Sequence, residues 1–203
     1  MIEMSNSRSR PLYSGARVDA LTDGIYAVAM TLLVLDVRLP DDFHPGNSAQ
    51  LSQGLIDLWP KVFPYFLSFG VLGLRWLAAV RSRTEAEHLG GATIAWWMLS
   101  LLLITCVPFT TIVVGRYASF APAIWLYAGN IALLAVASWC QLRLLADARA
   151  TDRAQSRQIS ALLLLVSALA CIVLSLVEPK HALWAFMLNL AGPALARRGA
   201  VSA

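Results

Sequence analysis

Apolar positions in this chain run in long unbroken stretches rather than in the narrow stripes of a water-exposed helix or the alternation of a strand. Six stretches stand out, 21–37, 62–80, 92–114, 121–142, 159–177 and 182–196. At about 1.5 Å per residue, a helix of about 20 apolar residues matches a hydrocarbon core of about 30 Å. The last stretch, of 15 residues, is short and requires local thinning of the bilayer or flanking anchors. Polar connections separate the stretches; the 38–57 loop, with Pro40, Asp41, Asp42 and Pro45, is too polar to insert. The pattern predicts an all-α, polytopic membrane protein with six transmembrane helices, residues 1–203 forming one domain.

Charge fixes the expected orientation. Twelve of the sixteen basic residues fall in the N-terminal tail, around the connections after spans two and four, or at the C-terminal end. Arg38, Lys61, Arg116 and Lys180 belong to the other side. The positive-inside bias therefore puts both termini in the cytoplasm of a multi-pass cell-membrane protein. Composition agrees: 58% of the 203 residues are hydrophobic and only 14% charged, against about 25% charged in a soluble domain. The net charge of +4 follows from the topology and does not indicate nucleic acid, since no basic helix lies outside the loops. The polar tail 1–15 shows no signal-peptide cleavage pattern, so span one is expected to be retained.

Chemistry-bearing motifs are few. Cys106, Cys140 and Cys171 all lie within apolar runs, an arrangement that suits packing rather than a disulfide framework or a metal site. No Gly-x-Ser-x-Gly, His-Glu-x-x-His or Gly-rich phosphate loop occurs, and neither does the Thr-Val-Gly-Tyr-Gly filter. No enzyme activity and no cofactor or metal is expected. Trp59, Trp125 and Trp184 mark the far ends of their spans, and Trp96 and Trp97 sit nearer the cytoplasmic start of span three.

Span one stands apart because it carries Asp23 about a turn inside the membrane and Asp36 at its far end. An ionisable side chain within a span costs a few kcal/mol and normally faces the protein interior or a water-filled path. Asp23 has two readings: a helix-start acid at the positive dipole end, capped by Thr22 or Asp19, or a buried tie between helices. Arg17 is turned about 240° away from it on a helix. Arg75 has the matching depth, about 9 Å from the cytoplasmic boundary, unless it snorkels to the interface. Val28, Thr31, Leu32 and Leu35 share one stripe, which is either a packing face or a working one. Asp36, Asp41 and Asp42 form a solvated acidic loop in one chain; around a symmetry axis they would form a ring that concentrates cations.

Arg17-x-x-x-Leu21-Thr22-Asp23-Gly24, followed by Thr31-Leu32-Leu33-Val34-Leu35-Asp36, resembles the first helix of the transmembrane protein 175 family of lysosomal and prokaryotic potassium-permeable channels. The family hallmark is Arg-x-x-x-Phe-Ser-Asp; here Leu21 replaces the aromatic and Thr22 keeps the hydroxyl. The likeness continues through Trp76, Val107-Pro108-Phe109, Tyr127, Asn130 and Glu178-Pro179. Ala79, Val80 and the Trp96-Trp97 region stand where members commonly carry histidines and an asparagine, so the polar network around the hallmark differs.

The resemblance implies a homotetramer in the lipid bilayer, with helix 1 lining a central pore for monovalent cations, potassium being the permeant ion. It places Val28, Leu32 and Leu35 at an apolar constriction with Thr31 beside it. It makes Arg17, Leu21, Thr22, Asp23 and Arg75 the motif and its interhelical network, and Asp36, Asp41 and Asp42 the outer-mouth acids. Two further readings stay open: a proton-coupled secondary transporter with Asp23 as the titrating group, and an inert membrane scaffold.

Overall fold

The computed structural model describes residues 15–81, 91–146 and 152–187, and all regular structure among them is helical. In chain order the helices are α1 (Gly15–Leu32), α2 (Ser48–Ile56), α3 (Trp59–Arg81), α4 (Gly91–Tyr117), α5 (Ala121–Ala146), α6 (Asp152–Val177) and α7 (Pro179–Ala182). Tighter 3-10 turns follow α1 at Leu33–Asp36 and α7 at Leu183–Phe186. Four segments are long and apolar enough to cross a membrane: Gly15–Asp36, Trp59–Val80, Gly91–Tyr117 and Ala121–Arg143. Ala161–Val177 within α6 is a shorter apolar helix. The first five expected spans thus each have a helix; of the sixth, 182–196, the part up to Met187 forms the end of α7 and the 3-10 turn, and 188–196 lie outside the described residues.

Three prolines of the described helices sit in first turns, and two, Pro64 and Pro108, lie inside helices. Pro60, Pro122 and Pro179 occupy first turns, where the missing N–H would have no partner anyway. Pro108 lies inside α4, yet the helix continues to Tyr117. The hydroxyls of Thr110 and Thr111 both donate to the Val107 carbonyl beside it, at 3.0 and 2.8 Å.

The 38–57 connection departs from the expected loop, because it folds into α2. Asn47 caps that helix by accepting from the Gln50 backbone N–H at 2.9 Å, and the Gln50 side chain returns to accept from the Gly46 N–H. This is close to a reciprocal capping box. The tip of the Phe43 ring lies against Gly54, where a Cβ would come within 2.4 Å of Cζ. A larger residue at position 54 would expel the ring.

Helices α4 and α5 form the centre. Val107 and Val114 from α4, and Ile124, Tyr127, Ile131 and Leu134 from α5, are all fully buried. Polar ties order the neighbours and show that successive long helices alternate in direction. Near the ends of α3 and α5, Arg75 meets Ser138. Gln141, late in α5, donates to the Trp96 carbonyl and to Ser100, early in α4. Trp125, at the start of α5, donates to Ser175 at the end of α6 at 2.9 Å. Asn130 supplies a further interhelical bond, to the Leu103 carbonyl at 3.2 Å.

A hydroxyl chain crosses the core. Thr111 gives its proton to Val107, so Ser68 donates to Thr111 at 2.8 Å and the Tyr127 phenol donates to Ser68 at 3.0 Å. Among the described residues no fully buried hydroxyl oxygen lacks a partner, as a water-free interior demands. Phe186 closes this region by packing edge-on against the Tyr127 ring, with centroids 5.3 Å apart. Phe186→Ala should therefore open a cavity and cost about 3–5 kcal/mol. Tyr127→Phe should cost only about 0.6–2 kcal/mol. Phe66→Ala, on an exposed face, should cost less than either. Equilibrium unfolding in detergent checks the ranking.

Candidate functional site

Helix α1 carries two stripes of opposite character. Thr22, Tyr26, Ala29, Leu33 and Asp36 recur at intervals of four, three, four and three residues and are buried. That spacing keeps them on one face, and this face packs against α3 and α4. On the other side, Leu21, Val28, Thr31, Leu32, Val34 and Leu35 are exposed. Val28 is 58% and Leu35 63% exposed, while Ala29 and Leu33 are 2%. Only 22% of the α1 span is buried within the chain, against 56% for α5. Helix α1 is a peripheral helix with an uncovered apolar face.

The buried face is pinned at its N-terminal end by two tryptophans. Trp97 of α4 donates its indole N–H to the Thr22 hydroxyl at 2.8 Å, and that hydroxyl passes its own proton to the Val18 carbonyl at 2.7 Å. Trp76 of α3 donates to Asp23 Oδ1 at 2.9 Å. A half-buried indole N–H has one proton to place, and an oxygen on a neighbouring helix accepts it.

The expected Arg75 partnership differs. Arg75 lies at the depth of Asp23, but it points to α5 and hydrogen-bonds Ser138, whose hydroxyl in turn donates to the Leu134 carbonyl. Its Nε is buried without a hydrogen-bond partner. Depth can be counted from the sequence, whereas direction around the axis cannot: one residue along a helix is about 100°. Trp76 consequently meets Asp23 where Arg75 does not.

At the opposite end Asp36 is buried, in contrast to a solvated acid, and bonds Arg116 of α4. Arg116 Nε and Nη2 both reach Asp36 Oδ1, at 3.0 and 2.5 Å. Arg116 stands in the last turn of α4, where the helix dipole also favours a cation. Asp41 and Asp42 do not join this pair. Both are exposed; Asp41 faces Arg38 at 3.6 Å, and the Asp42 carbonyl meets the His44 ring. Arg17 is exposed at the start of α1, and Leu21 points outward while Thr22, beside it, points inward. Thr31 lies on the exposed face with its hydroxyl on the Val28 carbonyl at 2.9 Å.

Trp97, Ser138 and Arg116 are hydrogen-bonding partners of the candidate residues that the sequence reading does not identify. The two tryptophans of 96–97 had been assigned to the membrane interface and Arg116 to a flanking charge. The available signal was the hydrogen-bonding demand of a buried indole next to a hydroxyl-bearing motif. Among the described residues, no group of three or more His, Cys, Asp or Glu side chains could hold a metal.

These features define a polytopic helical membrane protein whose first span carries an acid-bearing motif on one side and an uncovered apolar stripe on the other. Residues 17–108 match the family model described as endosomal/lysosomal potassium channel TMEM175. A potassium channel of Chamaesiphon minutus is 32% identical over 101 residues, covering 50% of this chain and 49% of that protein. One from Streptomyces collinus is 32% identical over 101 residues, 50% of this chain and 48% of the other. The human endosomal/lysosomal proton channel TMEM175 is 33% identical over 113 residues, 53% of this chain and 22% of that protein. The chain thus aligns with about half the length of the two bacterial relatives. The crystal structure of a lysosomal potassium-selective channel TMEM175 homolog from Chamaesiphon minutus superposes with a TM-score of 0.69 at 26% identity. That superposition covers 90% of this chain and 97% of the other. Residues 17–108 thus carry the likeness to the TMEM175 family, and the fold of most of the chain is similar to that of the Chamaesiphon channel.

The anchor at Thr22 has a direct energetic consequence. Thr22→Val leaves the Trp97 N–H unpaired, and Trp97→Phe leaves Thr22 bonded to its own helix. The first should cost about 1–3 kcal/mol and the second less. The double variant should cost less than the sum of the two, with a coupling of about 0.5–3 kcal/mol in a double-mutant cycle of unfolding free energies.

Proposed function

We propose that this chain is one subunit of a potassium-permeable cation channel. It assembles as a homotetramer in the cell membrane, with α1 surrounding the axis and both termini cytoplasmic. Each chain contributes a single six-helix unit, and the assembly has no catalytic activity and needs no cofactor besides the permeant potassium ions.

The carrying observation is the exposed stripe of α1, set opposite a stripe locked to α3 and α4. A single helix cannot enclose a water-filled path, and a closed ring of identical chains supplies the missing walls. In that ring Val28, Leu32 and Leu35 form the constriction. Apolar side chains at a narrow point strip water from an ion without replacing it, so the pore closes by dewetting. Thr31, beside them, is the hydroxyl that can turn inward when the helices move apart. The bacterial relatives are described as potassium channels, which supports the choice of ion.

Proton permeation is the second reading, favoured by the description of the human relative as a proton channel. Its strict form is a proton-coupled carrier in which Asp23 titrates. Reversal potentials separate the two, because a potassium pore follows the potassium gradient at constant pH and a proton path follows the pH gradient.

The test uses the full chain in planar bilayers. Leu35→Ser or Leu32→Asn should wet the constriction and raise basal cation current at least severalfold. Thr31→Val should lower the preference for potassium over sodium while leaving the assembly intact. Leu33→Ser, on the buried stripe, should destabilise the fold without a specific change in selectivity. If Leu32 and Leu35 variants conduct like wild type while Leu33 variants leak, the opposite face lines the pore.

A further inference from the structure

Three of the four basic residues that the sequence assigns to the sparsely charged side converge on one place. Arg38 follows the turn after α1, Lys61 is in the first turn of α3, and Arg116 is in the last turn of α4. Together with Leu39, Pro40 and Asp41 they line an open pocket of about 280 Å³. Small-molecule sites occupy about 300–1,000 Å³, so this pocket has the scale of a headgroup. We propose that it binds an anionic phosphate group, supplied by a phospholipid headgroup or by free phosphate.

The donors are only partly used. Arg116 commits Nε and Nη2 to Asp36, leaving Nη1. Lys61 Nζ gives one proton to the Arg38 carbonyl at 3.3 Å and keeps two. Arg38 has only the long contact to Asp41, with both side chains largely exposed. Three cations therefore face two carboxylates, Asp36, buried behind Arg116, and Asp41, exposed at the rim. The surplus positive charge, with its guanidinium forks and a compact ammonium, is the donor set that phosphate oxygens take.

Position supports the choice of ligand. Lys61 and Arg116 stand at the ends of two membrane-crossing segments, which is the depth of lipid headgroups. Trp59, exposed two residues before Lys61, has the amphipathic ring suited to that level. A phosphate held here would link the segment leaving α1 to α3 and α4 at the Asp36 end.

Two probes on the purified full chain distinguish the sources. One is native mass spectrometry, counting phosphatidylglycerol molecules retained per chain after transfer to a maltoside detergent. The other is broadening of the phosphorus resonance of inorganic phosphate by lipid-free protein. The variant Arg38→Gln with Lys61→Gln should weaken binding about tenfold or more, whereas Lys61→Arg should retain it. Arg116 is left in place because it holds Asp36. Asp41→Asn removes the competing carboxylate and should strengthen binding, which gives a reading that loss of folding cannot mimic. A response in lipid retention alone identifies the headgroup, and a response in the phosphate resonance identifies the free anion; either supports the site. Wild-type binding equal to that of the double variant by both probes, with no change in Asp41→Asn, overturns it.

Discussion

Within a bilayer a polar side chain on a helix has no water to turn to, so its partners on other helices dictate how that helix is rotated. Helix α1 obeys this constraint at both ends. Thr22 and Asp23 take indole N–H groups from Trp97 and Trp76, and Asp36 takes the Arg116 guanidinium. Helix α4 supplies a partner at each end, running alongside α1 in the same direction, while α3 runs opposite and meets the pair near Asp23. With both ends fixed, α1 cannot turn without leaving a half-buried indole or the buried Asp36 carboxylate unpaired. Each such loss costs on the order of 1–3 kcal/mol or more.

Fixing the rotation of α1 also fixes what it shows to its surroundings. The same pins that bury Tyr26, Ala29 and Leu33 leave Val28, Thr31, Leu32 and Leu35 uncovered. Buried and exposed stripes are thereby separated on one helix, with the motif residues holding it and the residues between them facing outward. The central pair α4 and α5 provides the rigid support, through closely packed apolar side chains and the hydroxyl chain from Tyr127 through Ser68 to Thr111. Arg75 extends the support by joining α3 to α5 at the depth of the motif.

Much of this was legible in the sequence, for physical reasons. Apolar run length reports directly on bilayer thickness, so each of the first five apolar stretches overlaps a helix, while α1 and α6 begin at Gly15 and Asp152, ahead of the apolar runs at 21 and 159. Helix α2 was not found, because Gly54 and its serines and glutamines break the apolar run, and its stability comes from the Asn47 cap and the seat of Phe43 on Gly54. The Thr22-Asp23 motif was recognisable as an unusual polar pair in a span. Its partners were not, since equal depth on two helices leaves the angle around each axis undetermined; Arg75 and Trp76 differ by one residue and serve different neighbours. Asp36 was grouped with Asp41 and Asp42 by proximity along the chain. The turn after α1 instead directs it toward Arg116, which is eighty residues away in sequence.

The central claim is that the exposed stripe of α1 faces other copies of itself, and interchain cross-linking measures this most directly. In a chain with Cys106, Cys140 and Cys171 replaced, single cysteines are placed at Val28, Thr31 and Leu35, at Ala29 and Leu33, and at Val173 on the exposed side of α6. A disulfide requires Cα atoms within about 7 Å, so oxidation in membranes reports only close approach between chains. Cysteines at 28, 31 or 35 should form covalent dimers on a non-reducing gel, while those at 29, 33 and 173 should remain monomeric. Dimers at 29 or 173 with none at 28, 31 and 35 would contradict the account.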